Sequence, residues 1–171
     1  MKSKLFIGAI FLLLVSSLSA QEFMTDRDDN RQIQYYRLVK NWLLNQKVEF
    51  NPSKAVSLTS KSVSYFVTMT YHGFIDEKFS IKSGKSLKLV LDGKEYLYPA
   101  LMVGSPSVDF VGMEKATYGV YPLAQEDLTR IMGSKEVVVV LYGEEGSVET
   151  KFSGPAMDWF RKFYEAYVAV K

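Results

Sequence analysis

The sequence contains no cysteine and only one histidine. Without cysteine there is no thiol nucleophile, no thiolate metal site, no disulfide and no cysteine-borne lipid anchor. One histidine also leaves a transition-metal site without its usual imidazole donors. Stability must therefore come from packing rather than from cross-links.

Long apolar runs are scarce as well. The run from Leu5 to Val15 is shorter than the roughly 20 residues a membrane helix needs. It follows Lys2 and Lys4 and precedes the small-residue tail Ser16-Ser17-Leu18-Ser19-Ala20. That layout predicts a secretory signal peptide over residues 1–20. The expected location is then periplasmic or extracellular. Residues 21–171 are predicted to form a single globular domain, with no transmembrane span and length enough for a core.

An excess of one charge is also missing. The chain has 21 basic and 19 acidic residues. Setting Lys2 and Lys4 aside with the leader leaves a balance. A nucleic-acid binder usually carries a clear basic excess, so nucleic acid is not an expected partner. Repeats and low-complexity linkers are absent too.

What is present is strong β patterning. Lys135 to Phe152 holds two β-prone runs around Gly143-Glu144-Glu145-Gly146, the pattern of a hairpin. In the first run Val137, Val139 and Leu141 point one way, and Val138, Val140 and Tyr142 the other. A strand apolar on both faces belongs in the middle of a fold.

Earlier in the chain, Ile33, Tyr36, Val39, Trp42 and Leu43 recur at three- and four-residue spacing. This predicts an amphipathic helix from about Asp29 to Gln46, with acidic residues at its start and Asn51-Pro52-Ser53 as its stop. From Ser62 the period changes to two. Alternation over Val63–Tyr71, Ile75–Lys82 and Leu87–Leu91, then Asp92-Gly93 and a return over Lys94–Tyr98, predicts a four-stranded meander. Strands are expected near Val108–Val111 and Ala116–Tyr121. Gln125–Met132 reads as a short helix ended by Gly133. A second helix runs from Gly154 to about Ala169, capped by Ser153, with Pro155 in its first turn.

The predicted class is α+β: a mainly antiparallel sheet, meander plus C-terminal hairpin, packed by an N-terminal and a C-terminal amphipathic helix. The alternative is a small half-closed β-barrel with the helices at its mouth.

No catalytic set assembles from the sequence. Asp26-Arg27-Asp28-Asp29-Asn30 lacks the glycine and closing carboxylate of a calcium loop, since those places hold Arg31 and Arg37. Ser83-Gly84-Lys85-Ser86 lacks the first glycine of a phosphate loop and opens a strand. Glu144, Glu145 and Glu149 read as a solvated hairpin tip. His72 with Asp76 could act as base and orienter, with Ser105 or Ser107 as nucleophile, but neither serine sits in a nucleophile elbow. No metal or cofactor is expected.

Two stretches suit binding. The apolar, turn-broken segment from Ala100 to Met113 offers Met102, Val103, Ser105, Ser107, Asp109 and Phe110 as contacts. Lys78, Lys82 and Lys88 offer a basic patch for an anionic partner. The leading expectation is a non-enzymatic, exported bacterial envelope protein that binds a protein partner or an apolar or anionic envelope ligand. A carrier of an apolar small molecule such as a lipid is the alternative, motivated by the 14% aromatic content. A hydrolase using His72 is the second alternative.

Overall fold

A computed structural model describes residues 22–109 and 113–169. The expected signal peptide and Phe110 lie outside the described residues. In chain order the elements are β1 (Glu22–Asp28), β2 (Ile33–Val39), β3 (Val48–Ser57), β4 (Val63–Phe74), β5 (Lys85–Leu91), β6 (Lys94–Pro99), β7 (Met102–Asp109), β8 (Glu114–Leu123), α1 (Gln125–Gly133), β9 (Val137–Tyr142), β10 (Ser147–Lys151) and α2 (Gly154–Tyr167).

The architecture is α+β with two antiparallel sheets. One has six strands in the order β1-β2-β3-β4-β8-β7, and the other four in the order β10-β9-β5-β6. They remain separate sheets and do not close into the alternative barrel. Period-two side chains aim Phe50, Val67, Met69 and Tyr121 inward from the larger sheet. Leu87, Leu89, Val139 and Leu141 face them from the smaller sheet, and all join one core. Strand β9 lies in the middle of its sheet, paired along its edges by β10 and β5.

Helix α2 covers the inner face of β1, β2 and β3. Phe160 meets Phe50 and Phe152 edge-on, and Tyr167 stacks on Tyr36 at 5.0 Å. The Ser153 side chain caps the helix by accepting from the Ala156 N–H at 3.2 Å. Its C-terminal end is held by Lys54, whose Nζ donates to the Tyr167 carbonyl.

The predicted N-terminal helix does not form. Residues 29–46 instead hold a turn, strand β2 and a loop. The acidic cluster builds a turn rather than a helix start: Asp28 Oδ1 accepts from the Arg31 N–H at 3.0 Å, and Gln32 takes φ 54°. Ile33, Tyr35 and Arg37 alternate with Gln34, Tyr36 and Leu38, so the strand divides the ring and aliphatic side chains between its two faces. Tyrosine, isoleucine and valine favour the pleated choice.

Asn51-Pro52-Ser53 is likewise no stop, because β3 runs through it. Between the pairs Arg37↔Ser53 and Trp42↔Glu49, four residues (Leu38 to Asn41) face three (Phe50 to Pro52). This is a bulge, with Lys40 at φ 58°. A proline, which has no N–H to offer, fits where the ladder is broken.

The predicted meander is also divided. Strand β4 pairs with β3 and β8, whereas β5 and β6 belong to the smaller sheet. The alternating run Ile75–Lys82 is not a strand. It is the crossing between sheets, held by one bridge, Ile81↔Gly143. The Asp92-Gly93 turn forms as expected, with φ 48° and 84°. Asp92 Oδ1 also accepts from the N–H groups of Lys135 and Glu136, both at 2.9 Å, tying the hairpin to the entry of β9.

Candidate functional site

Every second residue of the six-stranded sheet faces away from the core, and none of the described elements covers that side. In register across the sheet run Arg37, Ser53 and Phe66, and beside them Thr68, Val120 and Met102. Between these rows lies a groove of about 770 Å³. That is within the range of small-ligand sites.

The two ends of the groove differ in chemistry. At the β2 end stand Arg31, Arg37 and Tyr35, with the Arg37 guanidinium 4.8 Å from the Tyr35 ring centre. Asp26 and Asp28 approach these arginines only to 3.6 and 3.7 Å, so both ion pairs are loose and wet. At the β7 end stand Leu101, Met102, Val120 and Tyr118. Leu101 is 68% exposed and Met102 52%. Phe66, Ser53 and Thr68 form the floor between.

Strand β7 explains how Tyr118 is placed. A Cβ on Gly104 would come within 2.0 Å of the Tyr118 ring, so the ring lies directly on the glycine of the neighbouring strand. Immediately after it, Ser105 and Pro106 together stand opposite Thr117 in the register. This bulge puts a proline on a sheet edge, where it blunts pairing with another chain.

The same face holds a second cluster. Glu49 is buried, yet it accepts from Asn51 Nδ2 at 2.6 Å and from His72 Nε2 at 3.0 Å. Trp42 lies 4.7 Å from the His72 ring. Burial works to raise the Glu49 carboxyl, but the hydrogen bonds from His72 and Asn51 more than offset it and hold it below its ordinary value. Beyond the edge of this cluster, Tyr71 donates a hydrogen bond to Glu77, and Lys47 donates to the same carboxylate at 2.9 Å. These two bonds pull Glu77 down to about 2. Burial, and then Glu77, push the Tyr71 hydroxyl up.

The sequence-predicted residues fall in several places. The Ala100–Met113 segment is mostly strand rather than loop. Met102 lines the groove, whereas Val103 turns inward and packs on the core. Ser107 and Asp109 lie further along the same edge strand, Ser107 within reach of the Ala116 carbonyl at 3.5 Å. His72, Ala116 and Ser107 are in register on neighbouring strands. Two strand spacings put Ser107 about 10 Å from His72, beyond a hydrogen bond. The His72 Nε2 is engaged by Glu49 at 3.0 Å.

Two of the three lysines meet at one ring. Lys82 ends the crossing segment and lies 5.3 Å from the Tyr142 ring centre, while Lys88, on β5, pairs with Glu95 at 2.8 Å and also reaches the Tyr142 side chain. Lys78 is exposed in the crossing segment. Tyr35, Arg37, Phe66 and Tyr118 were not singled out from sequence. Their signal was the period of two in 33–39 and the outward alternation of β4 and β8.

Among the described residues no group of three acidic or histidine side chains is placed to hold a metal ion. No described helix is long and apolar enough to cross a membrane. No family model, curated protein or solved structure matches this chain.

Proposed function

We propose that this chain is a non-enzymatic, exported module that binds a partner or ligand on the open face of its six-stranded sheet. One observation carries this reading. The centre of the inner face is buried in the core, while the outer face keeps three aromatic rings, two arginines and exposed aliphatic side chains around a groove. Aromatic residues, methionine and arginine are the types enriched where proteins bind. Export rests on the leader pattern over residues 1–20.

The test is native mass spectrometry of the chain purified gently from the cells that make it, beside the triple variant Tyr35→Ala, Phe66→Ala, Tyr118→Ala. A reproducible added mass or a co-purifying protein is expected on the unaltered chain and not on the variant, with nearly equal melting temperatures. Equal occupancy in the two proteins, or a bare chain in both, would overturn the assignment of this face.

A further inference from the structure

The segregation of charge along the groove says what kind of ligand fits it, on the premise that the open face is the binding face. We infer that the occupant is a free single-chain amphiphile with a carboxylate head, of the fatty-acid class. The head would lie at Arg31 and Arg37, and the chain would run across the sheet towards Met102 and Leu101.

Three observations lead there. First, the cations stand at one end only. Arg31 and Arg37 belong to the β2 side, and the β7 side contributes aliphatic and aromatic surface. Ser53 and Thr68 add only neutral hydroxyls to the floor between. An amphiphile calls for this separation.

Second, the arginines already face carboxylates, those of Asp28 and Asp26, but at 3.7 and 3.6 Å, outside hydrogen-bond range. An incoming carboxylate has the same acceptor chemistry and is free to take a bidentate position that these aspartates do not.

Third, the groove is long and shallow. It crosses from β2 through β3, β4 and β8 to β7, which is four strand spacings or about 19 Å. An extended chain fits that shape, and its methylenes would cover Phe66, Tyr118, Met102 and Leu101. The large exposure of Leu101 and Met102 leaves the apolar end open to receive it.

The experiment is calorimetric titration of the purified chain with laurate below its micelle concentration, with octanoate, and with uncharged dodecyl maltoside. Saturable one-to-one binding of laurate is expected. Octanoate should bind far more weakly, since each buried methylene is worth up to about fourfold. The double variant Arg31→Gln, Arg37→Gln should bind laurate at least tenfold more weakly and dodecyl maltoside unchanged. Tyr118→Ala should weaken laurate and dodecyl maltoside alike.

Equal affinity for laurate in the arginine variant would remove the head from this end and overturn the inference. So would binding to anionic vesicles with none to monomeric laurate, which would make the face a membrane contact. A chain that ignores laurate yet carries a native mass or partner lost on the aromatic triple variant would sink the amphiphile and keep the binding module. A chain that carries neither would sink both.

Discussion

The two faces of the six-stranded sheet are built by the same strands and read from alternate residues of the same sequence. On the inner face Phe50, Val67, Met69 and Tyr121 have no accessible surface. On the outer face Ser53, Phe66, Thr68 and Tyr118, one or three residues away along the chain, line an open groove. The inner face holds apolar side chains whose place is set by packing against a second sheet and a helix. The outer face mixes rings, hydroxyls and guanidinium groups, and packing does not demand that mixture. Residues on the first face are there to make the fold, so those on the second are where a selected chemistry can be carried without loss of stability.

Substitutions placed in pairs across the sheet break or support this contrast. The largest effect is expected for Phe50→Ala. It removes a ring held between Phe152 and Phe160 and leaves a cavity, at a cost of about 3–5 kcal/mol in urea unfolding. Phe66→Ala on the outer face should cost about 1 kcal/mol or less. Similar costs for the two would mean that the outer face is also structural.

A smaller effect is expected at the buried carboxylate. His72→Ala leaves Glu49 with Asn51 as its side-chain donor, and should cost about 1–3 kcal/mol at neutral pH. No loss would show that water replaces the imidazole freely.

Acid should act through the same region. Glu49 and Glu77 both sit below the ordinary value of 4.5. A depressed folded value means that the stabilisation is complete above the unfolded value and is lost as pH falls through the folded one. For Glu77 the window runs from 4.5 down to about 2. Unfolding followed through that window should fall less steeply in Glu77→Gln than in the parent chain. Parallel curves would separate Glu77 from acid stability.

The pattern of the sequence specified faces better than neighbours. Hairpins with a local turn were legible: Asp92-Gly93 and Gly143 to Gly146 each close a strand pair within a few residues. Helix α2 was legible from Ser153 and Pro155, and α1 from Gly133 at its end, as was the central place of the Val137–Tyr142 strand. The N-terminal hairpin was not, because Ile33, Tyr36 and Leu43 fall at helical spacing, whereas in the strand Ile33 and Tyr36 point to opposite faces. Its outcome depends on docking against β3 and α2, a long-range contact. The division into two sheets was hidden for a related reason: alternation in Ile75–Lys82 says that side chains alternate, not that a partner strand is present. Of the site, only Met102 was marked in advance. Arg37 and Tyr35 stood inside the misread helix, and Tyr118 acquires its position from Gly104 on another strand.

Two glycines sharpen the comparison to a single atom. A Cβ on Gly119 would meet the Tyr121 ring and hydroxyl at 2.8–3.0 Å, and a Cβ on Gly104 would meet the Tyr118 ring at 2.0 Å. By distance alone the second clash is worse. The faces reverse the order. Tyr121 is fully buried and its hydroxyl lies 2.9 Å from Ser86 Oγ, so it has nowhere to go. Gly119→Ala should cost about 1–3 kcal/mol through overpacking. Tyr118 is 37% exposed, and its ring can swing outward at the cost of a rotamer, about 0.5–1.5 kcal/mol. Gly104→Ala should therefore be the milder of the two. Its cost should vanish when Tyr118 is already alanine, which a double-mutant cycle by urea unfolding would read as a coupling of about that size. An unchanged cost of Gly104→Ala in the Tyr118→Ala background would show that the ring does not rest on the glycine, and the apolar end of the groove would then lack the wall described for it.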